Sequence, residues 1–451
     1  MSFASVQVLR TSPPPLVPAL NLDIFAFMMT FVERRGDLLS LMRTCRALYA
    51  AGIQPLIRLD TDIPASKLRS FHTFMLAHSP ASFVALRRFV LEDGPAFMAE
   101  DDEYLASLME RSVRLEELRL PSHVLDTNLK IALAIASLDC LVSLRFNIGG
   151  SVFSIQNKIP SRYSLAHFSY PKLTVLELIR CSLPRLNILM SAFPNLQALT
   201  LEDRDDIPED IFVLTPEQEL VRAQNIAFQR NGRHWKSLRS LTTDTWCLFA
   251  IGLQNEIDVL EITTSLPGDR LFDLPWYLPS IGSLQAKEFR LSLNDYDVES
   301  WFDEEDFQSV FGTGMDKLVR LTVTVNFEQY YGHEEILNVL FEALEHLNLS
   351  ILELNLRMST GRSRYGELRP HPAAGFLGKL APNMDRLRRR AVGAVNSLDV
   401  VVCTIGTTRK AWLASKEGEN KLWREYQESK EGRTVITVSR EDYNTRYTLG
   451  A

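Results

Sequence analysis

Residues 173–181 read Leu173-Thr174-Val175-Leu176-Glu177-Leu178-Ile179-Arg180-Cys181, an LxxLxL spacing followed by a cysteine. Leu176 and Leu178 lie two apart and share one face of a short strand, while Leu173 covers the turn leading in. The spacing recurs at Leu86/Phe89/Leu91, Leu115/Leu118/Leu120, Leu141/Leu144/Phe146, Leu196/Leu199/Leu201, Ile257/Leu260/Ile262, Leu318/Leu321/Val323 and Leu349/Leu352/Leu354. Weaker copies stand at Leu238/Leu241, Phe289/Leu291 and Leu398/Val401/Cys403. Between them, Tyr104–Arg111, Leu129–Leu138 and Ile336–His346 carry apolar residues at helical spacing. Strand, helix, strand, helix predicts an α/β fold with parallel strands on one face and helices on the other.

The copies start at residues 86, 115, 141, 173, 196, 238, 257, 286, 318 and 349, steps mostly near the ~20 to 29 residues of a leucine-rich repeat. No single unit could bury its leucines alone. Stacking on neighbours must supply the core, at ~1.5 to 3 kcal/mol for each fully buried large apolar side chain. Residues 60–405 resemble a leucine-rich-repeat solenoid of the irregular kind seen in fungal F-box proteins, and Leu173, Leu176, Leu178 and Cys181 keep that family's polar or cysteine position after the strand. Arg204 stands where the next unit would place Asn or Cys, and the long step from 196 to 238 implies an insertion. A conventional α/β domain with leucine-rich strands is the other reading. Glu202–Asp210 and Thr360–Phe376, rich in charge, Gly and Pro, predict loops near 202–237 and 360–385. At 406–451, a charged helix over Arg409–Lys430 and a β-like run at Thr434–Ser439 would cap the open end.

Residues 1–18 form a proline-containing tail, and 19–59 do not fit the repeat. Asn21 would cap a first helix carrying Ile24, Phe25, Phe27, Met28 and Phe31. Gly36 and Asp37 would break it and start a second at Leu38–Tyr49, and Gly52 and Pro55 would end the helical pattern. About forty residues hold more large apolar side chains than so small a module can hide, so part of them should face a partner. Leu20-Asn21-Leu22-Asp23-Ile24 resembles the F-box opening Leu-Pro-x-Glu-Ile, with Asn21 in place of the proline. Asp37-Leu38-Leu39-Ser40-Leu41 is similar to its central Asp-Leu-Leu-x-Leu, and Thr44-Cys45-Arg46-Ala47-Leu48-Tyr49 to its Val-Cys-Arg-x-Leu/Trp-Tyr. Pro55-Leu56-Ile57-Arg58-Leu59 looks like the stretch by which fungal members enter their first repeat strand. An ordinary helical cap for the solenoid is the alternative.

The 451 residues carry a net charge of −7, which disfavours a polyanionic partner. The five cysteines lack a CxxC pair, so neither a disulfide framework nor a metal site is expected. The opening residues lack a charged stretch followed by an apolar core, and no apolar run approaches membrane-spanning length. A cytoplasmic or nuclear protein, with no membrane and no nucleic-acid partner, is the expectation. His333-Glu334-Glu335 does not extend to HExxH, Gly312-Thr313-Gly314 precedes a strand rather than a helix, no GxSxG occurs, and the eight histidines do not cluster. Cys45, Cys140, Cys181 and Cys403 read as buried small hydrophobes, and Arg386, Arg388, Arg389 and Arg390 as a solvated helix face.

The resemblance implies a non-catalytic, cofactor-free substrate receptor of an SCF-type cullin-RING ubiquitin ligase, or, without that link, a leucine-rich-repeat interaction scaffold. The Skp-type adaptor, and through it a cullin, would be held by Leu20, Leu22, Ile24, Leu38, Leu39, Leu41, Cys45, Leu48 and Tyr49. A target protein would meet outward strand positions Arg88, Glu117, Arg119, Arg145, Asn147, Glu177, Glu261, Arg320, Glu353 and Asn355.

Overall fold

The structure, a computed structural model, describes residues 22–59, 61–78, 80–92, 101–121, 129–147, 169–179, 185–202, 216–263, 281, 284–295, 298–302, 315, 317–327, 332–345, 347–358, 372–417, 420–429 and 432–434. Its backbone is α/β. The parallel strands are β1 (Asp62–Pro64), β2 (Arg88–Glu92), β3 (Glu117–Leu120), β4 (Ser143–Asn147), β5 (Val175–Ile179), β6 (Ala198–Glu202), β7 (Ser240–Thr243), β8 (Val259–Thr263), β9 (Glu288–Asn294), β10 (Arg320–Phe327), β11 (Ile351–Met358) and β12 (Val400–Ile405). Each pairs with its neighbours in chain order. The antiparallel strands β13 (Thr408–Glu417), β14 (Asn420–Ser429) and β15 (Gly432–Thr434) follow β12, and the sheet is open.

The quoted spacing explains the register. Its fourth position forms one row across eleven strands: Phe89, Leu118, Leu144, Leu176, Leu199, Leu241, Leu260, Phe289, Leu321, Leu352 and Val401 follow one another from β2 to β12. The sixth position makes a second row, Leu178, Leu201, Thr243, Ile262, Leu291, Val323, Leu354 and Cys403. Strand entry is equally regular. The amides of Asp258 and Val259 both donate to the Arg239 carbonyl, those of Arg239 and Ser240 to Gln197, and those of Val319 and Arg320 to Lys287. Because each entry is pinned this way, an insertion is accommodated beyond the strand and does not shift the register.

Helices cover the leucine face: α4 (Leu68–Ala77), α5 (Pro80–Ala85), α6 (Asp101–Arg111), α7 (Leu129–Ala136), α8 (Leu186–Ala192), α9 (Pro216–Arg230), α10 (Thr245–Ile251), α11 (Val298–Trp301), α12 (His333–Leu344), α13 (Pro372–Leu380) and α14 (Met384–Ala394). Parts of both expected loops are therefore helical: α9 falls within 202–237, and α13 and the start of α14 within 360–385. Gly, Pro and charge flag a chain that leaves the repeat spacing, yet α9 still buries Val221, Asn225 and Gln229 against its neighbours.

The C-terminal segment is the largest departure. In place of a helix over 409–430, β13 and β14 form an antiparallel ribbon, entered through Gly406 at φ +59. Trp412 and Trp423 are buried, whereas Leu413 is exposed. The decisive force is the unpaired edge of β12: residues 400–405 pair with 413–408, satisfying backbone groups that a docked helix would leave open. Thr434 ends β15, and the rest of the expected Thr434–Ser439 run lies outside the described residues.

The amino-terminal segment folds as α1 (Leu22–Met29), α2 (Arg35–Met42) and α3 (Arg46–Leu59). Gly36 and Asp37 sit inside the first turn of α2, and the helical break falls at residues 43–45. α3 continues through Gly52 and Pro55, both buried. Gly52 allows the close approach, since a Cβ there would collide with Met42 Cγ and meet Met29 Cε at 2.6 Å. Met29, Leu38, Met42, Leu48, Ile53 and Ile57 form the interior, and α3 packs on α5 of the sheet-bearing body.

Candidate functional site

Two surfaces of this fold present side chains that could meet another molecule. The first lies on α1 and its C-terminal turn. Ile24, Phe27, Met28 and Phe31 are 57%, 65%, 54% and 68% exposed, and Tyr49 of α3 is 46% exposed. The rings of Phe27 and Phe31 meet edge to face, with centroids 5.0 Å apart. Ile24, Phe27 and Phe31 follow helical i, i+3, i+7 spacing, while Met29 turns inward at 0% exposure. One side of α1 thus joins the core while the other leaves an apolar face in water.

The residues expected to grip an adaptor divide into separate groups. Ile24 and Tyr49 are on the surface, and Leu39 and Leu41 are half-buried against the core. Leu38 and Leu48 are not contact residues, because both are sealed inside the three-helix interior; a module of this size needs them to hold its own helices together. Cys45 is exposed rather than buried, and its Sγ accepts a hydrogen bond from the Leu48 amide at the start of α3. Leu22 opens α1, and Leu20 lies outside the described residues. Phe27, Met28 and Phe31 belong to the face and were absent from the expected set, although the excess of large apolar residues around them was readable.

The second surface is the strand face opposite the leucines, where outward side chains mostly pair with one another. Arg88 binds Asp62 at 3.0 Å and Glu117 at 3.2 Å, Arg119 binds Glu117 at 2.8 Å, and Arg145 binds Glu177 at 3.0 Å. A second lattice links Glu261 to Arg290, Arg290 to Glu288, Arg320 to Glu353 and Arg409 to Glu353. Between the lattices, β6 and β7 present Ala198, Thr200, Ser240 and Thr242, which carry no charge. Asn355 lies on this face by register, beside Thr324 and Thr404, but it is buried there, and its Nδ2 donates to Thr324 Oγ1 at 3.4 Å. Asn147 ends β4 at the backbone level.

The arginine run on α14 is a solvated face only in part, since Arg386 and Arg389 are exposed and Arg390 is half-buried. Arg388 is buried, binds Asp385 at 2.8 Å and lies 5.9 Å from the Trp423 ring. Arg386 and Arg390 reach Glu334 of α12, and Arg389 reaches Asp385. Burial pushes the Cys403 thiol up to about 12, opposed by Arg388, so this sulfur stays protonated. Cys247 is also buried, Cys140 is half-buried, and Cys181 lies outside the described residues. Among the described residues no three His, Cys, Asp or Glu side chains converge to hold a metal ion, and no helix is long and apolar enough to cross a membrane. No family model and no curated protein matches this chain.

Proposed function

We propose that this protein is a non-catalytic substrate receptor of an SCF-type cullin-RING ubiquitin ligase, an F-box-like helical module joined to a leucine-rich-repeat solenoid. The observation that carries the reading is the exposed apolar face of Ile24, Phe27, Met28 and Phe31 on a module whose sequence resembles an F-box. A Skp-type adaptor would cover that face, and a cullin would be joined through the adaptor. Burying each large side chain would contribute about 1.5 to 3 kcal/mol before the cost of association. The strand face would hold a target protein. Catalysis is then proximity: target lysines are held near a conjugating enzyme that another subunit carries.

The decisive variant is Phe27→Asp with Phe31→Asp, since both side chains are exposed and their replacement leaves the interior intact. Co-expressed Skp-type adaptor should be recovered with the wild-type chain and at least tenfold less with the double variant, at unchanged circular dichroism. Equal recovery of adaptor with both chains, or no recovery with the wild type, overturns the ligase reading and leaves an interaction scaffold with no ubiquitin link.

A further inference from the structure

On the helix side, α8, α9 and residues 231–237 enclose a cleft of about 940 Å³. Its lining includes Arg185, Arg233, His234 and Lys236 and, among the described residues, contains no Asp or Glu. All four basic residues are exposed, and among the described residues none makes an ion pair, whereas Arg88, Arg145 and Arg320 of the strand face are all neutralised. Arg233 lies 5.3 Å over the Phe228 ring at the cleft wall. In a chain with net charge −7, cations gathered in one concavity with no ion-pair partner among the described residues are a local reversal of the overall field.

The floor of the cleft is built rather than incidental. Buried Asn225 accepts from the Leu186 amide at 2.9 Å and donates to the Ile251 carbonyl at 3.1 Å, tying α9 to both α8 and α10. Trp235 Nε1 donates to the Phe193 carbonyl at 2.8 Å, anchoring the segment that carries Arg233, His234 and Lys236. Cations held on a fixed floor lose little freedom on binding. The walls also offer amide and hydroxyl groups of Asn187, Ser191 and Gln224, none hydrogen-bonded among the described residues and suited to a peptide backbone.

We infer that this cleft binds an acidic polypeptide segment, with Arg185, Arg233 and Lys236 pairing its carboxylates. A nucleic acid is disfavoured because these cations are gathered in one cleft of a chain whose net charge is −7, so a long polyanion reaching beyond the cleft meets an unfavourable overall field. The cleft flanks β6, five strand steps from β1 and so roughly 25 Å from the strand that follows the amino-terminal helices. The inference stands independently of the adaptor.

The test uses the full chain and a fluorescein-labelled hexaglutamate peptide, read by anisotropy. Wild type should bind the peptide, Arg233→Glu with Lys236→Glu should weaken binding at least tenfold, and Phe27→Asp with Phe31→Asp should leave it unchanged. The two replaced cations are exposed, and an unaltered thermal midpoint checks that their replacement spares the fold. Absent binding, or equal binding by wild type and the Arg233/Lys236 variant, overturns the inference. Complete displacement by inorganic phosphate at equal charge concentration overturns it in favour of a free-anion site. Tighter binding of a single-stranded oligonucleotide than of the peptide, lost in the same variant, overturns it in favour of nucleic acid.

Discussion

Gly52 shows how much one side chain can decide in a small module. Its hydrogen fills the space between Met29 and Met42, where even a methyl group would displace a packed thioether chain. Gly52→Val should cost roughly 1 to 3 kcal/mol by overpacking, read as a lower denaturant midpoint. Gly36→Ala is the contrast: it lies in the first turn of α2 with nothing within 4 Å of the added carbon, so its midpoint should stay the same or rise slightly. A Gly52→Val midpoint equal to wild type would show that α3 can shift away from α2 at little cost. Neither outcome is readable from the glycine itself. Gly52 looked like a helix terminator, and only the crossing of α3 with α1 and α2 reveals it as a contact point.

Among the elements, the ribbon of β13 and β14 carries the heaviest duty, because it closes an edge that twelve parallel strands leave open. Trp412 stands opposite Val401 in the adjoining strand and Trp423 opposite Ala414. Trp412→Ala should therefore cost about 3 to 5 kcal/mol and expose β12 to pairing between molecules. Equilibrium denaturation together with light scattering would register both effects; a variant as stable and monodisperse as wild type would remove the capping role from this residue. The charged residues of 409–430 matched a helix by composition. The strand outcome depends on β12, a partner defined only once the whole array has formed.

At the scale of the molecule, one apolar cluster extends from Met29 in α1 to Trp423 in β14, so the amino-terminal helices and the strand stack share a core. Nearest-neighbour coupling of this kind predicts that helix loss by circular dichroism and the tryptophan fluorescence change coincide on denaturation, even though every tryptophan lies at residue 235 or later. Helix loss well before the fluorescence change would mark the helical module as an independent unit. The ion-pair lattices are a lesser contribution, since partly exposed pairs are worth about 0 to 1 kcal/mol each.

By itself the sequence determined the parallel strands from β2 to β12 and their rows, because an LxxLxL unit has one way to hide its leucines and each copy repeats that solution beside the last. It also revealed the surplus of apolar residues before residue 60. Tertiary structure decided which of those residues stay in water: Leu38 and Leu48 are consumed by the helical interior while Phe27 and Phe31 are not. It also decided that outward charges would neutralise one another on the strand face, while those of Arg230-Asn231-Gly232-Arg233-His234-Trp235-Lys236 find no ion-pair partner among the described residues. The sequence alone did not mark that run as a basic patch, because a charge's partner is set by what the neighbouring strand or helix brings within about 4 Å, a distance with no counterpart along the chain.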